Sequence, residues 1–147
     1  MNMVLILMLS FWGLGQGNFS NGDLNNGELI VNVKRLKDNK SAVYLALYNK
    51  SQGFGKTEGM FKGAKAIPNG KSEVQIYLSG LEPGTYAIAV YQDINNNEQL
   101  DTGWLGIPKE PYGFSNNFKP SFSAPTFEKC SFIFSGKITQ MIIELIH

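Results

Sequence analysis

The chain has 147 residues, with 13 basic and 12 acidic side chains, one histidine and one cysteine. That length fits one ordinary domain, and near-cancelled charge without a Lys/Arg run offers no field to hold a polyanion, so nucleic acid is not an expected partner. Cys130 alone can form neither an intrachain disulfide nor a zinc cluster, and the only histidine is His147 at the C-terminus, so Cys–His nucleophile pairs and most histidine acid–base mechanisms drop out.

In chain order, Met3 to Leu14, "MVLILMLSFWGL", is an uncharged apolar run followed by the small residues Gly13, Gly15 and Gly17. It predicts a secretion signal over residues 1–17 and an exported protein, secreted or periplasmic; the competing reading is a buried N-terminal strand or helix. Polar "GQGNFSNGDLNNG" arrives too soon for a transmembrane anchor, so no span is expected in the mature chain. Residues 18–27 read as a flexible lead-in, and residues 28–147 as the folded domain.

"ELIVNVKRL" places Leu29, Val31 and Val33 on one face, and "SAVYLALY" does the same for Val43, Leu45 and Leu47. "MFKGAKAI" is a weaker strand, "SEVQIYL" turns Val74, Ile76 and Leu78 inward, and "TYAIAVYQ" sets Tyr86, Ile88 and Val90 on one side. "FEKCSFIF" and "KITQMIIELI", joined by "SG", read as a hairpin-like pair. With about seven strands and no sustained helical period, the expected fold is all-β: a two-sheet antiparallel sandwich, immunoglobulin- or transthyretin-like. In "LSGLEPGTYAI", Pro83 and Gly84 fit the centre of a type II turn, and Tyr86 fits a tyrosine corner, where the hydroxyl bonds back to nearby backbone; a plain hairpin turn is the alternative.

This places residues 93–126 as one loop of about thirty residues inserted at one end of the sandwich, and loops of that length are usually functional or tied down internally. Its opening, "QDINNNEQLDTG", puts Asp93, Asn95, Asn97 and Asp101 on the cadence of an oxygen-ligand calcium loop, with Gln99 offering its backbone carbonyl. Glu98 stands where the sharp turn wants Gly and Trp104 where a bidentate Glu would close the shell, so an EF-hand is excluded. Glu110, Glu98 or a carbonyl is left to complete the site. Calcium in the weak extracellular class, about 10⁻⁴ to 10⁻³ M, is the expected cofactor, and Mg²⁺ is less apt. The competing reading is a set of Asx turns with no ion.

The pieces "PGTYAIAV", "QDINNNEQLDT", "LGIPKE" and "YGFSNN" closely resemble the signature of the domain-of-unknown-function 2141 family. That resemblance implies a small exported bacterial protein with one β-rich domain and no assigned activity or catalytic residues. Family loops commonly carry Gly around Asn96 to Glu98, a departure that bears on loop curvature here.

The rest of the insertion is rich in aromatics: Trp104, Tyr112, Phe114, Phe118, Phe122 and Phe127. They are expected to cap the open end as a second small core; alternatively Trp104, Tyr112 and Phe114, with Glu110, form a ligand-binding platform. Three functions compete: a calcium-stabilised binding or structural module, a carbohydrate- or peptide-binding module that meets a sugar or another extracytoplasmic protein, and a glycoside hydrolase using Asp101 and Glu110. The expectation is a non-enzyme.

Overall fold

Alternation decides which face each strand buries, and the inward residues do come from alternate positions. The computed structural model describes residues 27–121 and 123–147. The expected signal, nearly all of the lead-in and Phe122 lie outside the described residues. The described residues form eight strands: β1 (Gly27–Lys34), β2 (Val43–Tyr48), β3 (Lys62–Ala66), β4 (Val74–Leu81), β5 (Gly84–Gln92), β6 (Tyr112–Phe114), β7 (Phe132–Phe134) and β8 (Thr139–Glu144). One sheet runs β4-β1-β8 and the other β3-β2-β5-β6, with β7 also paired to β5.

Between the sheets lie Leu29, Val31, Val33, Val74, Ile76 and Leu78 from one side and Val43, Leu45, Leu47, Ile88 and Val90 from the other, with Phe134, Ile143 and Leu145 completing the core. Each such side chain stabilises the fold by about 1.5–3 kcal/mol when fully buried. The all-β sandwich is therefore as the alternation predicts. One pairing is not antiparallel: β8 runs parallel to β1, from Leu29↔Thr139 to Lys34↔Glu144.

Four local expectations need correction. "FEKCSFIF" is not one strand. Phe127–Cys130 forms a single helical turn, capped where the Thr126 hydroxyl accepts the Lys129 N–H, and only Phe132–Phe134 is extended. Nor do "FEKCSFIF" and "KITQMIIELI" make a hairpin, because β7 pairs β5 in one sheet and β8 pairs β1 in the other. Gly84 opens β5 without a positive φ; the left-handed glycine is Gly80 (φ 71°), where β4 bulges against Gly27 and Glu28. The tyrosine corner does form, with the Tyr86 hydroxyl donating to the Glu82 carbonyl at 2.9 Å.

The fourth correction concerns the insertion, which is not one loop from 93 to 126. It rejoins the sheet at β6, where Tyr112 pairs Tyr91 and Phe114 pairs Ala89, and β7 continues along the same edge of β5 from Tyr86 to Gly84. β6 and β7 thus act as one strand broken by an excursion over residues 115–131. Ser115, fully buried, fills the break: its Oγ accepts the Ile88 N–H at 2.8 Å and donates to the Cys130 carbonyl. Asn116 donates to the Ser131 carbonyl, while the Asn117 amide donates to the Ile142 carbonyl and accepts the Glu144 N–H. Tyr112 and Ile146 exchange both backbone bonds. The "YGFSNN" segment therefore stitches one sheet to the other.

Gly113 is required there by space: a Cβ would sit 2.9 Å from Ile143 Cγ2 and 3.2 Å from the Glu144 carbonyl oxygen. Gly113→Ala is expected to cost about 1–3 kcal/mol through overpacking. Ser115→Ala strands a buried N–H and a buried carbonyl, for about 1–3 kcal/mol. Urea unfolding midpoints check both.

Candidate functional site

The chain leaves β5 at Gln92 and returns at Tyr112, so residues 93–111 all lie at one end of the sandwich. Gln92 is fully buried and anchors that end, accepting the Lys37 N–H at 2.7 Å and donating to the Asp38 carbonyl at 2.9 Å. Asp38 in turn accepts from Ser41 and Lys40; desolvation opposes ionisation, but the bonds from Ser41 and Lys40 outweigh it and hold the carboxyl below its usual value.

Asp93 is 1% exposed, and its carboxylate accepts the backbone N–H of Asn97 at 3.1 Å and of Glu98 at 2.9 Å. The loop curls around this carboxylate, and the curl demands left-handed backbone at Asn96 (φ 58°) and Glu98 (φ 61°). The tight curvature that the missing glycine put in question is therefore present, carried by a residue that adopts it at a cost. Glu98 is fixed by the Tyr44 hydroxyl at 3.1 Å and by Lys65 at 3.5 Å.

Around the outside of the curl three side chains meet. Asn95 Nδ2 donates to Asp101 Oδ2, and Asn97 Nδ2 lies 3.1 Å from both Asp101 oxygens. Gln99 joins through its N–H, which Asn97 Oδ1 accepts at 3.0 Å. Sequence reasoning places Glu110 as a closing ligand or a platform member; the structure gives it a different task. It is 6% exposed, Oε1 accepts the Ile94 N–H at 2.8 Å and Oε2 the Asp101 N–H at 3.1 Å. One carboxylate thus clamps the two ends of the Asp/Asn loop, and no spacing rule marks it, since its partners are main-chain groups.

Among the described residues the acids Asp93, Asp101 and Glu110 have no basic side chain within ion-pair distance; the two pairs found are Lys34–Glu73 and Lys65–Glu98. No three Asp, Glu, His or Cys side chains among those residues gather as a metal set. A cation here would rely on Asp101 together with amide and carbonyl oxygens. As they stand, both asparagines turn Nδ2 toward Asp101 and the Asp93 oxygens face backbone N–H groups, so the expected ligand oxygens are not gathered on one centre; oxygen ligation beside Asp101 would require each amide to turn over, for Asn97 at the loss of its bond to Gln99. The negative surroundings register at Tyr91, whose hydroxyl is pushed up to about 12, first by burial and then by the carboxylate of Asp93, by Tyr44 and by Glu110 and Glu98.

The aromatics do not assemble as one platform. Tyr112 and Phe114 meet edge to face at 5.9 Å, and Phe114 packs on Phe54, which also meets Tyr48 and Phe127. Phe118 lies under the Lys129 ammonium. Tyr48 pairs Ala87 and Phe114 pairs Ala89, positions that alternate with the inward Leu47, Ile88 and Val90, so these rings cover the outer face of the sheet and the expected cap over the open end is not what they form; Tyr48 and Phe54 also lie outside the insertion. Trp104 is absent from the cluster and 87% exposed. It tips a small hairpin in which Gly103 N–H donates to the Ile107 carbonyl and Lys109 N–H to the Asp101 carbonyl. Cys130 is fully buried, and burial pushes its thiol up to about 11, so it is protonated at neutral pH.

Glu110→Gln presents an NH₂ group to one of two backbone N–H donors, and a loss of about 1–3 kcal/mol is expected in chemical denaturation. Glu98→Gly relieves the left-handed backbone and is expected to leave stability unchanged or raise it by up to about 1 kcal/mol, despite losing the Tyr44 and Lys65 contacts. Because Tyr91 has a folded value raised above its ordinary 10.0, the stability it contributes is complete below pH 10 and lost as pH rises through about 12. Tyr91→Phe should flatten that part of an alkaline unfolding curve.

Comparison with known proteins places this geometry in a family. No curated protein and no solved structure matches the chain. The family model described as an uncharacterized protein conserved in bacteria, DUF2141, matches residues 31–142, from within β1 to within β8 and across the whole Asp/Asn loop, and the chain belongs to that family.

Proposed function

We propose that this is an exported, calcium-stabilised β-sandwich module, in which the ion fastens the 93–111 loop to a rigid body that serves binding or structure. One observation carries the reading: Asp93, Asp101 and Glu110 lie within a single short loop with no cationic partner among the described residues. Asn95 and Asn97 converge on the outermost of these acids. Backbone N–H groups already compensate Asp93 and Glu110, which leaves Asp101 and the asparagine amides as the groups for a divalent ion. Export rests on the apolar run from Met3 to Leu14.

The hydrolase reading is less well supported, because both Glu110 oxygens are committed to backbone donors and the group is buried. A sugar platform of Trp104, Tyr112 and Phe114 is also disfavoured, since Phe114 packs on Phe54 instead of joining Trp104.

For a dissociation constant of about 10⁻⁴ to 10⁻³ M, raising calcium to about 10 mM stabilises the fold by about 1.4–2.7 kcal/mol. The expected result is a Tm several degrees higher in calcium than in chelator, with the difference removed by Asp101→Asn. Equal melting in both conditions rejects the cation site.

A further inference from the structure

β4 closes one side of the three-stranded sheet, and among the described residues it pairs with β1 alone. The Lys34 carbonyl accepts the Leu145 N–H, so even-numbered residues of β1 turn their backbone groups to β8 and odd-numbered ones to β4. Through the register Val31↔Ile76, this engages the main chain of Val74, Ile76 and Leu78 and leaves that of Gln75, Tyr77 and Ser79 facing outward. The Lys62 ammonium agrees with this parity, since it donates to the Ser79 carbonyl. The outward groups of Gln75 and Tyr77 take no partner among the described residues, and a cleft of about 540 Å³, lined by Ala66, Ile67, Gln75 and Tyr77, lies against them.

The other sheet edges are protected. β3 carries Lys62 and Lys65 within five residues, and β7 has only three residues. Asn117 covers the Ile142 carbonyl and the Glu144 N–H of β8, and Tyr112 of β6 exchanges both backbone bonds with Ile146. β4 has neither a charged residue nor a proline in its eight residues, "VQIYLSGL". The complement of such a row of alternating N–H and C=O groups is another extended main chain.

The strand is complementary to itself. Antiparallel pairing with a second copy about a two-fold axis at Ile76 sets Gln75 opposite Tyr77 of the second copy, and the reverse, so that each outward residue exchanges both backbone bonds. The same register sets Glu73 of the second copy opposite Ser79, where the Lys62 ammonium stands. Glu73 is half exposed and has Lys34 at 3.6 Å as its own partner, which leaves it free to reach a second cation. An axis at Tyr77 would set Gln75 of the second copy there instead and forfeit that charge match. We propose that β4 is a dimerisation edge: two copies of this chain join β4 to β4 in one continuous sheet, held in register by Lys62 and Glu73 across the axis. The inference is independent of the calcium reading.

Sedimentation of the full-length chain should show a monomer–dimer equilibrium. Lys62→Glu and Glu73→Lys should each weaken it at least about tenfold, because the two-fold axis repeats every change, and the double swap should restore it. Unchanged circular dichroism checks that these variants remain folded. As a second measurement, oxidation of the Gln75→Cys/Tyr77→Cys variant should give a disulfide-linked dimer, since the two positions face each other across the axis while Cys130 is buried. A chain that stays monomeric at about 1 mM overturns the self-pairing and leaves the edge to a strand of another protein. Association that neither single reversal weakens arises elsewhere, the apolar run from Met3 to Leu14 included, and overturns it as well. So does a double swap that associates no better than the single variants.

Discussion

Glu110 is the constraint on which the functional end of the molecule depends. A carboxylate accepting two main-chain N–H bonds from residues seven apart fixes both ends of a curl that contains little regular structure. Asp93 does the same from inside, so the loop is shaped by two buried anions gripping backbone rather than by side-chain packing. Charge-assisted bonds of this kind are shorter and stronger than neutral ones and lose little to solvent when buried. A loop built so is fixed at both ends beneath the hairpin that projects from it.

The second organising device is the broken strand. Two three-residue segments are too short to hold a sheet edge unaided. Ser115 supplies, through one hydroxyl, the acceptor that a continuous backbone would have offered to Ile88, and Asn117 reaches the other sheet. Residues that look in the sequence like an exposed polar turn are therefore the fastening between layers, and their amides act as backbone surrogates.

The sandwich was legible because alternation is a strong signal: the inward sets of β1, β2, β4 and β5 follow directly from Leu29, Val43, Val74 and Tyr86 and their every-second neighbours. The tyrosine corner was legible from Pro83, Gly84 and Tyr86, although the turn itself is made differently. What periodicity could not reveal is partnership. "SG" between two apolar runs suggests a hairpin, yet β7 and β8 lie in different sheets, because β7 completes the edge that β6 begins and β8 takes the open side of β1. Glu110 escaped for a related reason, since a side chain whose partners are backbone N–H groups leaves no pattern in residue types. Trp104 misled in the opposite sense: aromatic density argues for a core, and only geometry separates the ring that stands outside it.

The parallel pairing of β1 with β8 carries a temporal consequence. The strand at the centre of the three-stranded sheet takes as its parallel neighbour a strand made much later, after every other strand described. Such a sheet is incomplete until β8 has been made, so Val31 and Val33 keep an unmatched flank until then. The order of strands makes completion of this sheet depend on a contact of long sequence separation, a kind that forms slowly.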